Sequence, residues 1–274
     1  MRESRKILFV GGKLSHSVLP KVYEQLSLEL PFTIETVNYT VGAFPRNKGA
    51  LMDVMASARA AGVCVTLPHK IAALEPCDKL LSAGSFAQSV NVLKLENAEV
   101  LVGDNTDGIG FLRFAQRKGI DFKHKRVLIL GAGGVARSVI STLITKQLQC
   151  QLYVSNRSAA PLKELHLLFP EICISEEFIQ DQSFDIVINT TSSSLNIELP
   201  PIPPHAISRH TYCLESAYLY KKKTIFEKYA SSHHALFYSN GIGMLIEQAM
   251  SAIPFWFTDV TEVDYSSAYS AFEI

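Results

Sequence analysis

Two groups of residues in this chain have types and spacings that could do chemistry. The first is Gly131-Ala132-Gly133-Gly134-Val135-Ala136, which fits G-x-G-x-x-G/A. Gly131 would permit a tight turn, Gly133 would let backbone approach a pyrophosphate, and Ala136 would let helix and strand pack closely. A helix start there offers unpaired N–H groups and a positive dipole end to phosphates. The pattern alone is weak, and its context raises it. Val127-Leu128-Ile129-Leu130 before it reads as a strand buried on both faces, and Val135, Val139 and Leu143 recur on one helix face. The next strand ends Ser155-Asn156-Arg157-Ser158, with an arginine where an NAD site would carry an acid. A guanidinium suits a 2′-phosphate, so the expected cofactor is NADP. The second group serves the proton that must accompany a hydride. Lys70 and Asp107 are the candidates. Read alone, each has an ordinary explanation, a surface turn lysine and a helix N-cap. Thr66, Asn91 and Ser17 are likewise readable as turn or cap residues.

The composition sets bounds on function. The chain has 274 residues, 47% hydrophobic and 19% charged, with zero formal net charge. That describes a globular protein of one large or two smaller domains, with no basic excess to attract nucleic acid. Lys221-Lys222-Lys223 reads as a solvated turn. Five cysteines, Cys64, Cys77, Cys150, Cys173 and Cys213, are scattered without a C-x-x-C pair, as expected of reduced thiols in the cytoplasm. The N-terminus shows no secretory signal pattern, and no apolar stretch is long enough to span a bilayer. A homodimer is the generic expectation for assembly, carried by no particular residue.

Elements that must position these groups alternate along the chain. Strands are expected at Ile7–Val10, Ile34–Tyr39 and Val63–Thr66, with helices from Pro20 to about Leu30 and from Leu51 to Ala60. Val90–Leu95 and Val100–Val102 flank a hairpin at Glu96-Asn97-Ala98. A helix from Asn105-Thr106-Asp107-Gly108 stops at Gly119. Further strands are expected at Gln151–Val154, Phe184–Ile188, Thr211–Leu214 and Ala235–Tyr238, with a helix at Leu162–Phe169. A last helix after Gly241 should end or kink at Pro254. The fold class is α/β. An N-terminal substrate domain, residues 1–106 with 243–274 returning to it, is followed by a Rossmann-like nucleotide domain, residues 107–242. A ligand cleft and hinge between the two are expected.

Several motifs together resemble the shikimate dehydrogenase family. They are Ser15-His16-Ser17 with Pro20, Val65-Thr66-Leu67-Pro68-His69-Lys70, Ser89-Val90-Asn91 and Gly103-Asp104-Asn105-Thr106-Asp107-Gly108. The glycine loop, Asn156-Arg157-Ser158, Asn189-Thr190-Thr191-Ser192, and Gly241-Ile242-Gly243-Met244-Leu245 with Gln248-Ala249 follow in family order. The resemblance implies reversible reduction of 3-dehydroshikimate to shikimate with NADPH, a step toward chorismate and the aromatic amino acids. It implies that Lys70 and Asp107 flank the reacting oxygen, with Lys70 as acid/base. Ser17 would hold the substrate carboxylate, with Ser15 and Tyr218 nearby. Thr66, Asn91 and Gln248 would hydrogen-bond ring hydroxyls. Gly131, Ala132, Gly133, Gly134, Val135, Asn156, Arg157, Ser158 and Thr190 would hold the cofactor, with Gly241 near its nicotinamide. No metal is expected, because hydride transfer needs only positioned polar groups.

The chain departs from the family pattern in places. Leu19 stands where a second carboxylate-binding serine is usual. Gly12-Lys13-Leu14 replaces Gly-x-Pro, Cys64 an Asn, and Val92 a Thr. Pro161 falls near the second adenosine-phosphate arginine, and Ser194 near a usual glycine. These departures leave open a dehydrogenase for quinate or another cyclic polyol acid, or a non-catalytic relative that binds NADP or shikimate.

Overall fold

A computed structural model describes residues 2–174, 176–260 and 266–273. The chain forms two compact units, Met1–Phe111 with Leu245–Ile274, and Leu112–Met244.

The first unit is built on a mixed sheet. Its strands are β1 (Glu3–Gly11), β2 (Phe32–Thr40), β3 (Ala60–Val65), β4 (Lys79–Leu80), β5 (Val92–Glu96) and β6 (Val100–Asp104), ordered β2-β1-β3-β5-β6-β4. β1 lies parallel between β2 and β3. Both its faces are covered, which accounts for the unbroken apolar run Ile7-Leu8-Phe9-Val10, at most 2% exposed. β5 runs antiparallel to β3 and β6, and the hairpin turn places Asn97 and Ala98 at positive φ.

The helices here are α1 (Leu19–Leu26), α2 (Lys48–Ala58), α3 (Ser82–Ala87) and the start of α4 (Asp107–Arg117). α1 is shorter than expected. The Ser27 hydroxyl donates to the Tyr23 carbonyl at 2.6 Å and accepts the Ile34 N–H at 2.8 Å. That side chain offers the backbone a way out of the helix, and a 3₁₀ turn at Ser27–Glu29 follows. α2 starts at Asn47, whose side chain accepts the Ala50 N–H.

The second unit holds five parallel strands, β7 (Arg126–Leu130), β8 (Gln151–Ser155), β9 (Ile186–Asn189), β10 (Tyr212–Glu215) and β11 (Phe237–Ser239). Their order is β11-β10-β9-β7-β8. Counted from its own first strand this is the doubly wound order 2-1-3-4-5, a Rossmann-like sheet. α5 (Gly134–Thr145), α6 (Ala159–Leu168), α7 (Glu176–Gln180) and α8 (Ile225–Ser232) connect the strands. α8 went unread in the sequence although Thr224-x-x-Glu227 spells a capping box, and both of its hydrogen bonds form.

α9 (Ile242–Trp256) then carries the chain back into the first unit, where α10 (Ser266–Ala271) lies. α9 runs two residues past Pro254 instead of stopping there. The proline stands two residues from the helix end, so its missing N–H costs one hydrogen bond in the last turn only. Trp256 anchors the return: its indole N–H donates to the Leu93 carbonyl at 3.0 Å. A Cβ on Gly62 would fall 2.3 Å from that indole, which is why β3 has a glycine there.

Candidate active site

In the first unit the chain leaves β1 for β2 on one side and reaches β3 on the other. Open α/β sheets place ligands beyond the carboxyl ends of strands that diverge in this way. The antiparallel β5 begins at that same edge, and β6 ends there. Four segments therefore converge: the loop after β1 with Ser15 and Ser17, the turn after β3 with Thr66 to Lys70, Asn91 before β5, and Asn105 to Asp107 after β6.

Lys70 and Asp107 meet there. The Lys70 ammonium donates to both Asp107 oxygens at 2.7 Å. The side chains are 11% and 3% exposed, so Lys70 is no surface turn lysine. Asp107 opens α4, where the positive end of the helix favours a carboxylate. Its side chain faces the lysine, while its own N–H donates to Asn105 Oδ1 at 2.9 Å. The Asn105 amide in turn donates to the Ser89 carbonyl.

Asn91 is 1% exposed. Its amide N–H₂ lies 2.9 Å from Thr106 Oγ1, 3.0 Å from Gln248 Oε1 and 3.2 Å from Asp107 Oδ1, and its Oδ1 accepts the Thr106 N–H at 2.8 Å. Gln248 comes from α9. It reaches this cluster because α9 backbone lies against Gly110, where a Cβ would fall 2.5 Å from the Gln248 nitrogen.

Of the residues expected in the substrate site, Lys70, Asp107, Asn91 and Gln248 form one hydrogen-bonded cluster. Thr66 lies beside it on the β3 turn, its N–H donating to the Val10 carbonyl at 2.8 Å. Ser17 accepts the Leu19 N–H at 3.2 Å, Ser15 is exposed, and Tyr218 belongs to the second unit. Leu19 is 2% exposed, a core side chain at the start of α1. Asn105 and Thr106 went unassigned in the sequence. Their signal was present, because two polar residues stood between a buried strand and Asp107.

In the second unit the strands diverge between β7 and β9, and the glycine loop sits at that point. Gly131 has φ +113°, and a Cβ there would fall 2.7 Å from Thr190 Oγ1. Gly133 is the N-cap of α5, with open space where its Cβ would be. Ala136 is fully buried, as close helix–sheet packing requires. Thr190 follows β9 and donates both its N–H and its hydroxyl to the Leu130 carbonyl, at 2.9 and 2.8 Å. Ala132, Gly134 and Val135 complete the loop. Asn156 and Arg157, beside Ser158, line a cavity of about 290 Å³ whose other walls include Leu162, Ile179 and Ile202. Its lining is mixed, with Ser155, Glu176 and Gln180 as well as the Arg157 guanidinium among the polar groups. Gly241 follows β11, and a Cβ there would collide with the Ser216 carbonyl at 2.1 Å.

Residues 113–199 match the family described as shikimate / quinate 5-dehydrogenase. A protein of Vesicomyosocius okutanii named shikimate dehydrogenase (NADP(+)) is 33% identical over 258 residues, 92% of this chain and 93% of its own. One of the same name from Herminiimonas arsenicoxydans is 34% identical over 263 residues, 90% of each chain. The solved shikimate dehydrogenase of Aquifex aeolicus has 27% identity and a TM-score of 0.83, over 98% of this chain and 97% of that one. With the motifs in order, both switch points built and relatives alike over nine-tenths of their length, the chain belongs to the shikimate dehydrogenase family.

Proposed function

We propose that this protein catalyses the reversible, NADPH-dependent reduction of 3-dehydroshikimate to shikimate. The observation that carries the reading is the Lys70–Asp107 pair, nearly buried at the switch point of the first sheet. A protein that only bound its ligand would have no need of that pair. The Gly133 opening and the Arg157 pocket fit NADP. Arg157 and Asn156 hold the 2′-phosphate, Gly131 to Val135 the pyrophosphate, and Thr190 and Gly241 the nicotinamide side.

Bound NADPH supplies the hydride. The protein's own part is to hold the ketone and deliver the proton. An ammonium has three N–H donors, and Asp107 engages two of those of Lys70. The third points to the substrate oxygen, donates its proton in reduction and recovers it in oxidation. Asp107 keeps the lysine oriented, and Asn91 and Asn105 keep Asp107 oriented. Ser17 takes the substrate carboxylate, with Ser15 on the same loop. Thr66, Asn91 and Gln248 take ring hydroxyls. A site built for hydroxyls discriminates strongly against analogues that lack them.

All five cysteines are free, which suits a reducing cytoplasm. Among the described residues no helix is long and apolar enough to cross a membrane. The deciding assay mixes purified protein with shikimate and NADP, then with quinate and NAD, and follows nicotinamide absorbance. Turnover with shikimate and NADP is expected to dominate. Faster turnover of quinate would replace the substrate, and silence with every pair at high enzyme would end the enzymatic reading.

A further inference from the structure

One buried acid in the second unit has no part in the chemistry above. Glu215, the last residue of β10, is 2% exposed and pairs in register with Asn189 of β9. Its Oε1 accepts the Asn189 amide at 2.7 Å, and its Oε2 accepts the Thr224 hydroxyl at 2.5 Å. Asn189 and Thr224 are themselves fully buried. Burying a carboxylate costs free energy unless its partners are well placed, so these contacts set the geometry of whatever they touch.

What they touch is the cofactor side of the sheet. An acceptor-only carboxylate holds the Asn189 N–H₂ toward itself, which turns Asn189 Oδ1 the other way. There Oδ1 accepts the Thr191 N–H at 3.0 Å and the Thr191 hydroxyl at 2.7 Å, next to Thr190. On its other oxygen the chain of contacts runs to Thr224, whose hydroxyl accepts the Glu227 N–H at 3.0 Å. Glu227 Oε2 accepts the Thr224 N–H at 2.9 Å and the Asn240 amide at 3.4 Å. Asn240 precedes Gly241 and caps α9 through the Ile242 N–H at 3.1 Å. One carboxylate thus braces two turns, Thr190-Thr191 and Asn240-Gly241. With the adenosine end at Asn156-Arg157, on the β8 side of the switch point, the other half of a dinucleotide extends across β9 and β10. Thr190-Thr191 follows β9, and Gly241, although it follows β11, donates its N–H to the Ala217 carbonyl at 2.9 Å just beyond the end of β10.

We propose that Glu215 is a positioning residue for the nicotinamide half of the cofactor, acting through Asn189 on the Thr190-Thr191 turn and through Thr224 and Glu227 on the Asn240-Gly241 turn. This role rests on the NADP reading of the second unit. It separates the two halves of the cofactor, and so does its test.

Purified wild type, Asn189→Asp and the double variant Asn189→Asp/Glu215→Gln are titrated with NADPH by fluorescence and with adenosine 2′,5′-bisphosphate by calorimetry. Asn189→Asp sets two carboxylates face to face. NADPH affinity is expected to fall about tenfold or more, as for a buried contact worth over ~1.4 kcal/mol. The bisphosphate, which touches only the adenosine end, is expected to stay within about twofold. In the double variant the new amide donates to the carboxylate at position 189 and accepts from Thr224, so NADPH affinity is expected to recover. If Asn189→Asp does not fold, Glu215→Ala carries the same test, with Glu215→Gln as its conservative rescue. Unchanged NADPH affinity in Asn189→Asp or Glu215→Ala, equal loss of both ligands, or no recovery in the rescue variant would each overturn the positioning role. A wild type that bound NADPH but not the bisphosphate would overturn the adenosine-end assignment, and the role built on it. A wild type that bound neither would overturn the NADP reading itself.

Discussion

A lysine ammonium held by both oxygens of one carboxylate cannot wander, and that restraint has a measurable consequence. Lys70→Ala is expected to lower kcat by about 10²- to 10⁴-fold, the usual contribution of a positioned acid/base. NADPH binding should be unchanged, because the cofactor residues lie in the second unit. Stopped-flow turnover beside an equilibrium titration checks both halves. Arg157 yields a second expectation. Arg157→Ala should weaken NADPH by about tenfold or more through loss of a charge-assisted contact, and leave NADH nearly unaffected. Comparing KM for the two cofactors checks it. At this scale the residue types were legible and the partnerships were not. Lys70 and Asp107 lie 37 positions apart, and each had an ordinary local explanation. Asn91 was readable as polar. That its amide orients Asp107 and reaches Gln248, 157 positions away, is a fact of tertiary packing alone.

The elements that hold these residues depend on a few close backbone approaches. α9 can present Gln248 to the cluster because Gly110 leaves room for its backbone. Gly110→Ala would push the two helices apart, at a cost of about 1–3 kcal/mol for overpacking. It should lower Tm and kcat together, whereas Lys70→Ala, which also lowers Tm by leaving Asp107 buried without its partner, loses far more kcat than its loss of stability accounts for. Thermal denaturation and turnover on the same samples separate the two. Long, strongly patterned elements could be read in advance: β1, β7 with α5, the β5–β6 hairpin, and α9. Some of the short ones could not, although the short parallel strands β9, β10 and β11 could. β4 has two residues, and α3, α7 and α10 have five or six, too few for a period to show. The early end of α1 was hidden because Ser27 acts through its hydroxyl, which no hydrophobic pattern records.

For the whole molecule the buried acid gives a pH dependence. Burial pushes Glu215 up from 4.5 to about 7, against the pull of the hydrogen bonds it accepts, and Glu227 adds to the rise. A carboxyl whose pKa is higher folded than unfolded binds its proton more tightly in the native state. Its contribution to stability is complete below pH 4.5 and declines until the pH passes about 7. The span is on the order of 3 kcal/mol. Glu215→Gln should remove this slope, so its Tm relative to wild type should rise between pH 4.5 and about pH 7. A parallel shift at every pH would show that Glu215 does not titrate in that range. At this scale two α/β units and a Rossmann-like sheet were legible from the alternation of elements, while strand order was not, since pairing is a long-range choice.

The chain enters the second unit inside α4 and leaves it inside α9, so the first unit is discontinuous. During synthesis, residues 112–244 are complete before the ribosome has made Gln248 or Trp256. The unit bearing Lys70 and Asp107 therefore cannot close until the whole nucleotide unit has been made, because Gln248 and Trp256 lie beyond it in the chain. Its hydrogen-bonded cluster joins residues synthesised on both sides of an intact sheet, so the first unit folds around a finished insertion and not ahead of it.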